Sequence, residues 1–341
     1  MPIQPDELKK HVVRYEYWLP RCRSRVDALK RRKPKQAKLR YFTLSGGDPL
    51  DVIMLAVDKL LPNDGESGFQ SVCFFDRHGY NPAETGAKIP GAVPFPGSFI
   101  DTMLWEENPE PAEGTSANND YQALRNTMLM VRQYAPFDVV NFDLEEVLFT
   151  SEEEPPGKLL RALKKLFEIQ RDGFSTMAAQ EFSLMMTVRL PEHGAIHPEA
   201  LALVRSVLDA NIRKFPELHS LFTWNDAPWS RAFELAIPKI ILEQLHATGW
   251  TISGASGIQE VTRERQNGGP QAEQLYHIIV DVVRRHDTEK EAEAAYRKLM
   301  HDLFRSSAHH ITDDSIAQEV RMNLKRVHVA RDKLSARLPR W

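Results

Sequence analysis

The chain has 341 residues, 42% of them hydrophobic and 27% charged, with a formal net charge of −3. That is room for one large α/β domain with extensions, or for two domains, in an ordinary soluble composition. The charge gives no global electrostatic case for nucleic acid or membrane, and no apolar run approaches the roughly 20 residues that span a bilayer. The leading MPIQPDELKKHVV has neither an apolar core nor a cleavage-like site, and Cys22 and Cys73 are the two cysteines. A disulfide framework and a cysteine-rich zinc site are therefore excluded, and a cytoplasmic protein is expected.

Residues 6–32 read as a helix with an apolar side (Val12, Val13, Tyr15, Trp18, Leu19), broken into two pieces at Pro20. Its second half, with the linker to Arg40, is basic. The segment 21–40 carries Arg21, Arg23, Arg25, Lys30, Arg31, Arg32, Lys33, Lys35, Lys38 and Arg40. It is either a solvated face or a phosphate-contacting surface.

RYFTLSGGDPLDVIMLAVDKLL, residues 40–61, places a short apolar strand, a turn (Ser45, Gly46, Gly47, Asp48, Pro49) and an apolar helix in direct succession. Strand, glycine turn and helix is how an open α/β sheet begins a nucleotide or cofactor site. The glycines admit a ligand to the backbone, and the helix start offers free N–H groups. FQSVCFFDR (69–77) is a second strand, ending in Asp76, an acid placed to accept bonds from ribose hydroxyls or to cap the next turn. A Gly/Pro-rich stretch with a short apolar piece (Ala92 to Phe95) covers 78–98, and a helix is predicted over 121–134.

FDVVNFDL (137–144) is the next strand and carries Asn141 and Asp143 at its end. A helix over 158–171, a doubly buried strand over 181–190 and helices over 198–214 and 229–247 follow. TISGASG (251–257) and QLYHIIVDVVRR (274–285) form a closing antiparallel edge hairpin, and 288–339 is charged and helical in pattern. Strands alternating with helices predict a doubly wound, mostly parallel Rossmann-like sheet of about seven strands. The expected organisation is a basic helical extension (1–38), the sheet domain (39–285) and a helical tail (286–341).

Taken together, FTLSGGDPLDV, the acid closing SVCFFDR, GSFIDTML, the strand FDVVNFDL and the closing hairpin resemble the class I S-adenosylmethionine-dependent methyltransferases. The resemblance covers roughly residues 40–285 and rests on order and spacing more than on motif letters. It implies an S-adenosylmethionine site with the cofactor on Ser45, Gly46 and Gly47 and its ribose on Asp76. The adenine would lie near Gly97, Ser98 and Phe99, and the reactive end near Asn141 and Asp143, with Asp143 or Glu145 taking the acceptor's proton. The family's first motif usually opens with an acid and spaces its glycines; here Thr43 or Leu44 stands near the acid's place and the glycines are adjacent. Asp143 is followed by Leu144-Glu145-Glu146 rather than Pro-Pro-Tyr or Pro-Pro-Phe, and no Pro-Cys nucleophile occurs.

Two functions of different class follow. The first is an S-adenosylmethionine-binding methyltransferase-like protein, with nucleic acid as a candidate acceptor through segment 21–40. The second is a non-catalytic subunit of the same fold, working with a protein partner or as a homo-oligomer. Another Rossmann-type nucleotide enzyme is a third. Adjacent His309-His310 and Asp313-Asp314 read as a solvated helix end rather than a metal site, because metal ligands must converge in space. His193 and His197 bracket Gly194 and Pro198 and read as loop; no G-x-S-x-G elbow or P-loop occurs.

Overall fold

The computed structural model describes residues 5–32, 39–45, 49–61, 69–76, 86, 88–107, 111, 114, 116–147, 157–175, 180–189, 198–220, 222–224, 229–252, 259–266, 272–284, 294, 297–298, 301, 305, 309–310 and 316–336. Its centre is one mixed sheet of nine strands: β1 (Tyr41–Ser45), β2 (Val72–Asp76), β3 (Val93–Phe95), β4 (Val139–Val147), β5 (Glu181–Arg189), β6 (Trp250–Ile252), β7 (Gln259–Gln266), β8 (Ala272–Arg284) and β9 (His309–His310). The order is β3-β2-β1-β4-β5-β8-β7-β9, with β6 also paired to β8. β1 to β5 are mutually parallel; β8 runs against β5, and β6 and β7 run against β8 along one edge. The sheet is thus seven positions wide before the two-residue β9 extends it, an α/β architecture with a mixed sheet.

The helices are α1 (Pro5–Val12), α2 (Leu19–Arg32), α3 (Leu50–Val57), α4 (Phe99–Met103), α5 (Ser116–Tyr134), α6 (Lys158–Phe174), α7 (Pro198–Lys214), α8 (Trp229–Ala247) and α9 (Gln318–Ala336). Alternation in the strands divides the core between two faces. Phe42, Phe75, Phe95, Phe142, Leu184 and Ile278 face one side, which also takes in buried residues of α4 to α8. Tyr41, Phe74, Val139, Met185 and Ile279 face the other, together with Trp18, Cys22, Ile53, Val320 and Leu324 of α1 to α3, α9 and the turn between α1 and α2. The amino-terminal and carboxyl-terminal helices therefore belong to one of the sheet's two covering layers. Among the described residues no helix is long and apolar enough to cross a membrane.

Four expectations change. The break expected at Pro20 is a widened π turn, Val13–Trp18, in an otherwise continuous helix. Pro20 has no N–H, and its ring crowds the carbonyl four residues back; just before it, the Leu19 N–H donates to the Arg14 carbonyl, five residues back. The closing hairpin gains a third strand: β6 and β8 pair antiparallel as expected, and β7, not expected, takes the rest of β8's outer edge. The strand expected over 137–144 runs instead from Val139 to Val147, with a register irregularity between Asp143 and Val147. His309 and His310 are not a helix end but pair with Val261 and Thr262 on the open edge of β7, since an unpaired strand edge outweighs a local helical preference. Asp313 and Asp314 lie outside the described residues.

Candidate functional site

The chain leaves β1 toward β2 and β3 on one side and returns to β4 on the other, so the strand order switches between β1 and β4. Ligands of open α/β sheets enter beyond the carboxyl ends of strands at such a point. Ser45 ends β1 directly opposite Asp76, which ends β2. Thr43 pairs with Asn141, so Asp143, two residues on, stands level with Ser45. Asp143 pairs with Thr187, and Thr187 with His277. Asp76, Ser45, Asp143, Thr187 and His277 thus form one row across five strands at the mouth of the switch point.

The structure brings Ser45, Asp76 and Asp143 to one level and puts Asn141 one step inside it. Gly46 and Gly47 lie outside the described residues. Gly97 and Ser98 follow β3 at the same end of the sheet; Gly97 adopts φ +88°, and the Ser98 hydroxyl accepts the Asp101 N–H at 3.3 Å, capping α4. Phe99 faces inward, 5.2 Å from Phe142 and 5.6 Å from Phe75 between ring centres, so its ring is part of the core. Glu145 lies in β4.

Asn141 is fully buried in a polar knot. Its Nδ2 donates to the Tyr41 hydroxyl oxygen and to Asp51 Oδ2, both at 3.0 Å. Tyr41 donates to the same Asp51 oxygen at 2.7 Å and Thr43 at 3.3 Å. Burial, and then the Asp51 charge, push the Tyr41 phenol well above its ordinary value, keeping it a donor. The knot ties α3, through Asp51, to β1 and β4, while Asn141 Oδ1 has no partner among the described residues. Cys22, also buried on this side of the sheet, has its thiol pushed up by burial and then by Asp51.

Asp143 is engaged too. Lys10 of α1 lies 2.5 Å from its Oδ2, and the two side chains retain 16% and 15% exposure. From there the amino-terminal helix runs down the β5/β8 seam. Trp18 stands edge-on to His277 at 6.5 Å, and Thr187 Oγ1 and His277 Nδ1 share a hydrogen bond of 2.8 Å. Arg21 pairs with Asp281, Arg25 with Glu181 (2.9 Å) and Asp281 (3.6 Å), and Arg32 with Glu181. Arg23 grips Asp58 with two bonds of 2.7 Å, and Arg40 meets Asp138. Of the described cations of segment 21–40, Arg21, Arg23, Arg25, Arg32 and Arg40 are paired within the fold and Lys30 and Arg31 are exposed, while Lys33, Lys35 and Lys38 lie outside the described residues.

Along its other side the same helix is laced to α9. Glu7 meets His328 at 2.8 Å, His11 Nε2 shares a 3.0 Å bond with Asn323 Oδ1, and Tyr15 donates to Glu319 at 2.6 Å. Among the described residues no group of three His, Cys, Asp or Glu side chains is placed to hold a metal ion.

Sequence reasoning finds Ser45, Asp76 and Asp143 but misses Lys10, Thr187, His277 and the Tyr41–Thr43–Asp51 partners of Asn141. Their signals are faint. Thr187 and His277 are lone polar residues in apolar strands, and Asp51 interrupts an apolar helix. Compared with known proteins, the chain matches no protein-family model, and no curated protein or solved structure is significantly similar to it.

Proposed function

We propose that the protein is an S-adenosylmethionine-binding, methyltransferase-like protein whose cofactor lies across the carboxyl ends of β1 and β2. The observation that carries this reading is the register pair Ser45–Asp76 beside the switch point, with α3 beginning five residues after β1 ends. A glycine turn between them can bring backbone N–H groups to the ligand, while an acid one strand over suits ribose hydroxyls. Methyl transfer would need little more than alignment of the sulfonium with its acceptor and a group to take a proton.

A second reading, a non-catalytic methyltransferase-fold subunit of a larger assembly, is favoured by a different observation. Lys10 occupies Asp143, and Asn141 is closed into the Asp51 knot, so neither is poised as a base toward solvent. Nucleic acid remains the acceptor class that Lys30 and Arg31 would favour.

Calorimetric titration of the folded protein with S-adenosylmethionine and S-adenosylhomocysteine tests the first reading. Saturable binding that disappears in Asp76→Ala is expected; no binding by folded wild type would overturn it. Methyl-tritium transfer to DNA, RNA and protein pools then separates the two, since binding without transfer to any pool supports the subunit reading.

A further inference from the structure

The seam between the amino-terminal helix and the sheet is a ladder of compensated cations with one gap. Lys10, Arg21, Arg25 and Arg32 each meet a carboxylate. Arg14 is the most buried of the series, 5% exposed, yet its Nε and Nη1 have no hydrogen-bond partner among the described residues. Trp18, 1% exposed, leaves its indole Nε1 equally unpartnered. Both residues belong to the π turn, a local widening that recurs at functional sites.

Register places this pair. Lys10 is anchored at one end of the row Asp143–Thr187–His277, and Trp18 at the other. Arg14 lies midway between them along the helix. Lys10 meets Asp143 Oδ2, while Asp143 Oδ1 is buried without a hydrogen-bond partner among the described residues. His11, one turn back, is buried, and burial followed by Arg14 lowers its pKa to about 4, so it adds no charge of its own near neutrality. Arg14 Nε and Nη1 are thus buried with no hydrogen-bond partner among the described residues, an arrangement that costs free energy unless a partner completes it. A planar guanidinium matches a carboxylate in shape and charge.

We propose that the π turn roofs a binding site for a small carboxylate anion, whose oxygens accept from Arg14 and from the Trp18 indole N–H. The anion enters from the carboxyl edge of the sheet, where Lys10 and Asp143 remain partly exposed. The site adjoins the β1–β2 crevice but is defined without it, and its test needs no cofactor.

The probe is sodium acetate, compared with sodium chloride at matched ionic strength, on the full chain. Acetate is expected to raise the wild-type Tm saturably, by several degrees beyond chloride, and to broaden its own carboxyl-13C resonance in the presence of protein. Arg14→Met is expected to lose both responses and to be at least as stable as wild type without acetate; Arg14→Lys is expected to weaken binding at least tenfold. Equal responses in wild type and Arg14→Met would overturn the proposal. So would the absence of acetate line broadening with wild type, a measurement that holds even if a variant does not fold.

Discussion

His11 is the residue through which pH reaches the helical layer. Buried and beside Arg14, it has a pKa lowered from 6.5 to about 4. The unfolded chain therefore binds more protons than the native state between those values, and stability falls as pH drops from about 6.5 toward 4. At 1.36 kcal/mol per pKa unit, the full effect is about 3 kcal/mol. Urea titrations of wild type and His11→Gln, which keeps an amide for Asn323, are expected to diverge over that window, the variant falling less steeply. Parallel pH profiles would show that His11 is not the titrating group. The candidate site is partly legible at this scale. An acid closing a strand is visible from alternation alone, so Asp76 can be placed, whereas β4 continues past Asp143 to Val147. That Lys10 neutralises Asp143 is not visible, because the two are 133 positions apart in sequence and meet only when the first helix lies down on the sheet.

Among the elements, α6 shows how a local rule is reversed by a neighbour. Gly173 sits in its last turn, where Ala normally gains about 0.5–1 kcal/mol over Gly. Here an added Cβ would stand 2.8 Å from Pro136 N, 2.9 Å from its Cδ and 3.1 Å from the Ala135 carbonyl carbon. The contact cannot relax, because Gln170, one turn earlier, accepts the Phe137 N–H at 2.7 Å and donates to the Phe137 carbonyl at 3.0 Å. Gly173→Ala is expected to destabilise the protein by about 1–3 kcal/mol, the usual cost of overpacking, as measured by chemical denaturation. A gain in stability would show that the strand entry yields. Elements with strong periodicity and clear flanks are legible: α7, α8 and β5 fall where the apolar pattern puts them. The π turn and β9 are not, since one needs the accommodation before Pro20 and the other the open edge of β7.

At the scale of the molecule, the sheet has one face under α4 to α8 and the other under α1 to α3 and α9. The second layer holds Trp18, Leu19 and Cys22, all under 2% exposed. Removing residues 1–32 would strip that face and leave Glu181, Asp281 and Asp143 without Arg25, Arg21 and Lys10. The truncated protein is expected to lose cooperative thermal unfolding and near-ultraviolet dichroism and to self-associate, as read by calorimetry and sedimentation. Native-like unfolding of the truncation would mean that the helix is an accessory and not a layer.

By itself, the sequence determined the α/β class, the run of parallel strands and the acid that ends β2. These follow from periodicity and turn chemistry, which act over a few residues. Only the tertiary structure decided that β7 joins β6 on the outer edge of β8, that Asn141 is closed against Asp51, and that Arg14 Nε and Nη1 are buried without a hydrogen-bond partner among the described residues. Those outcomes depend on which distant segments are brought into contact, and no local pattern encodes the charge or hydrogen-bond partner that a side chain meets across a packed layer.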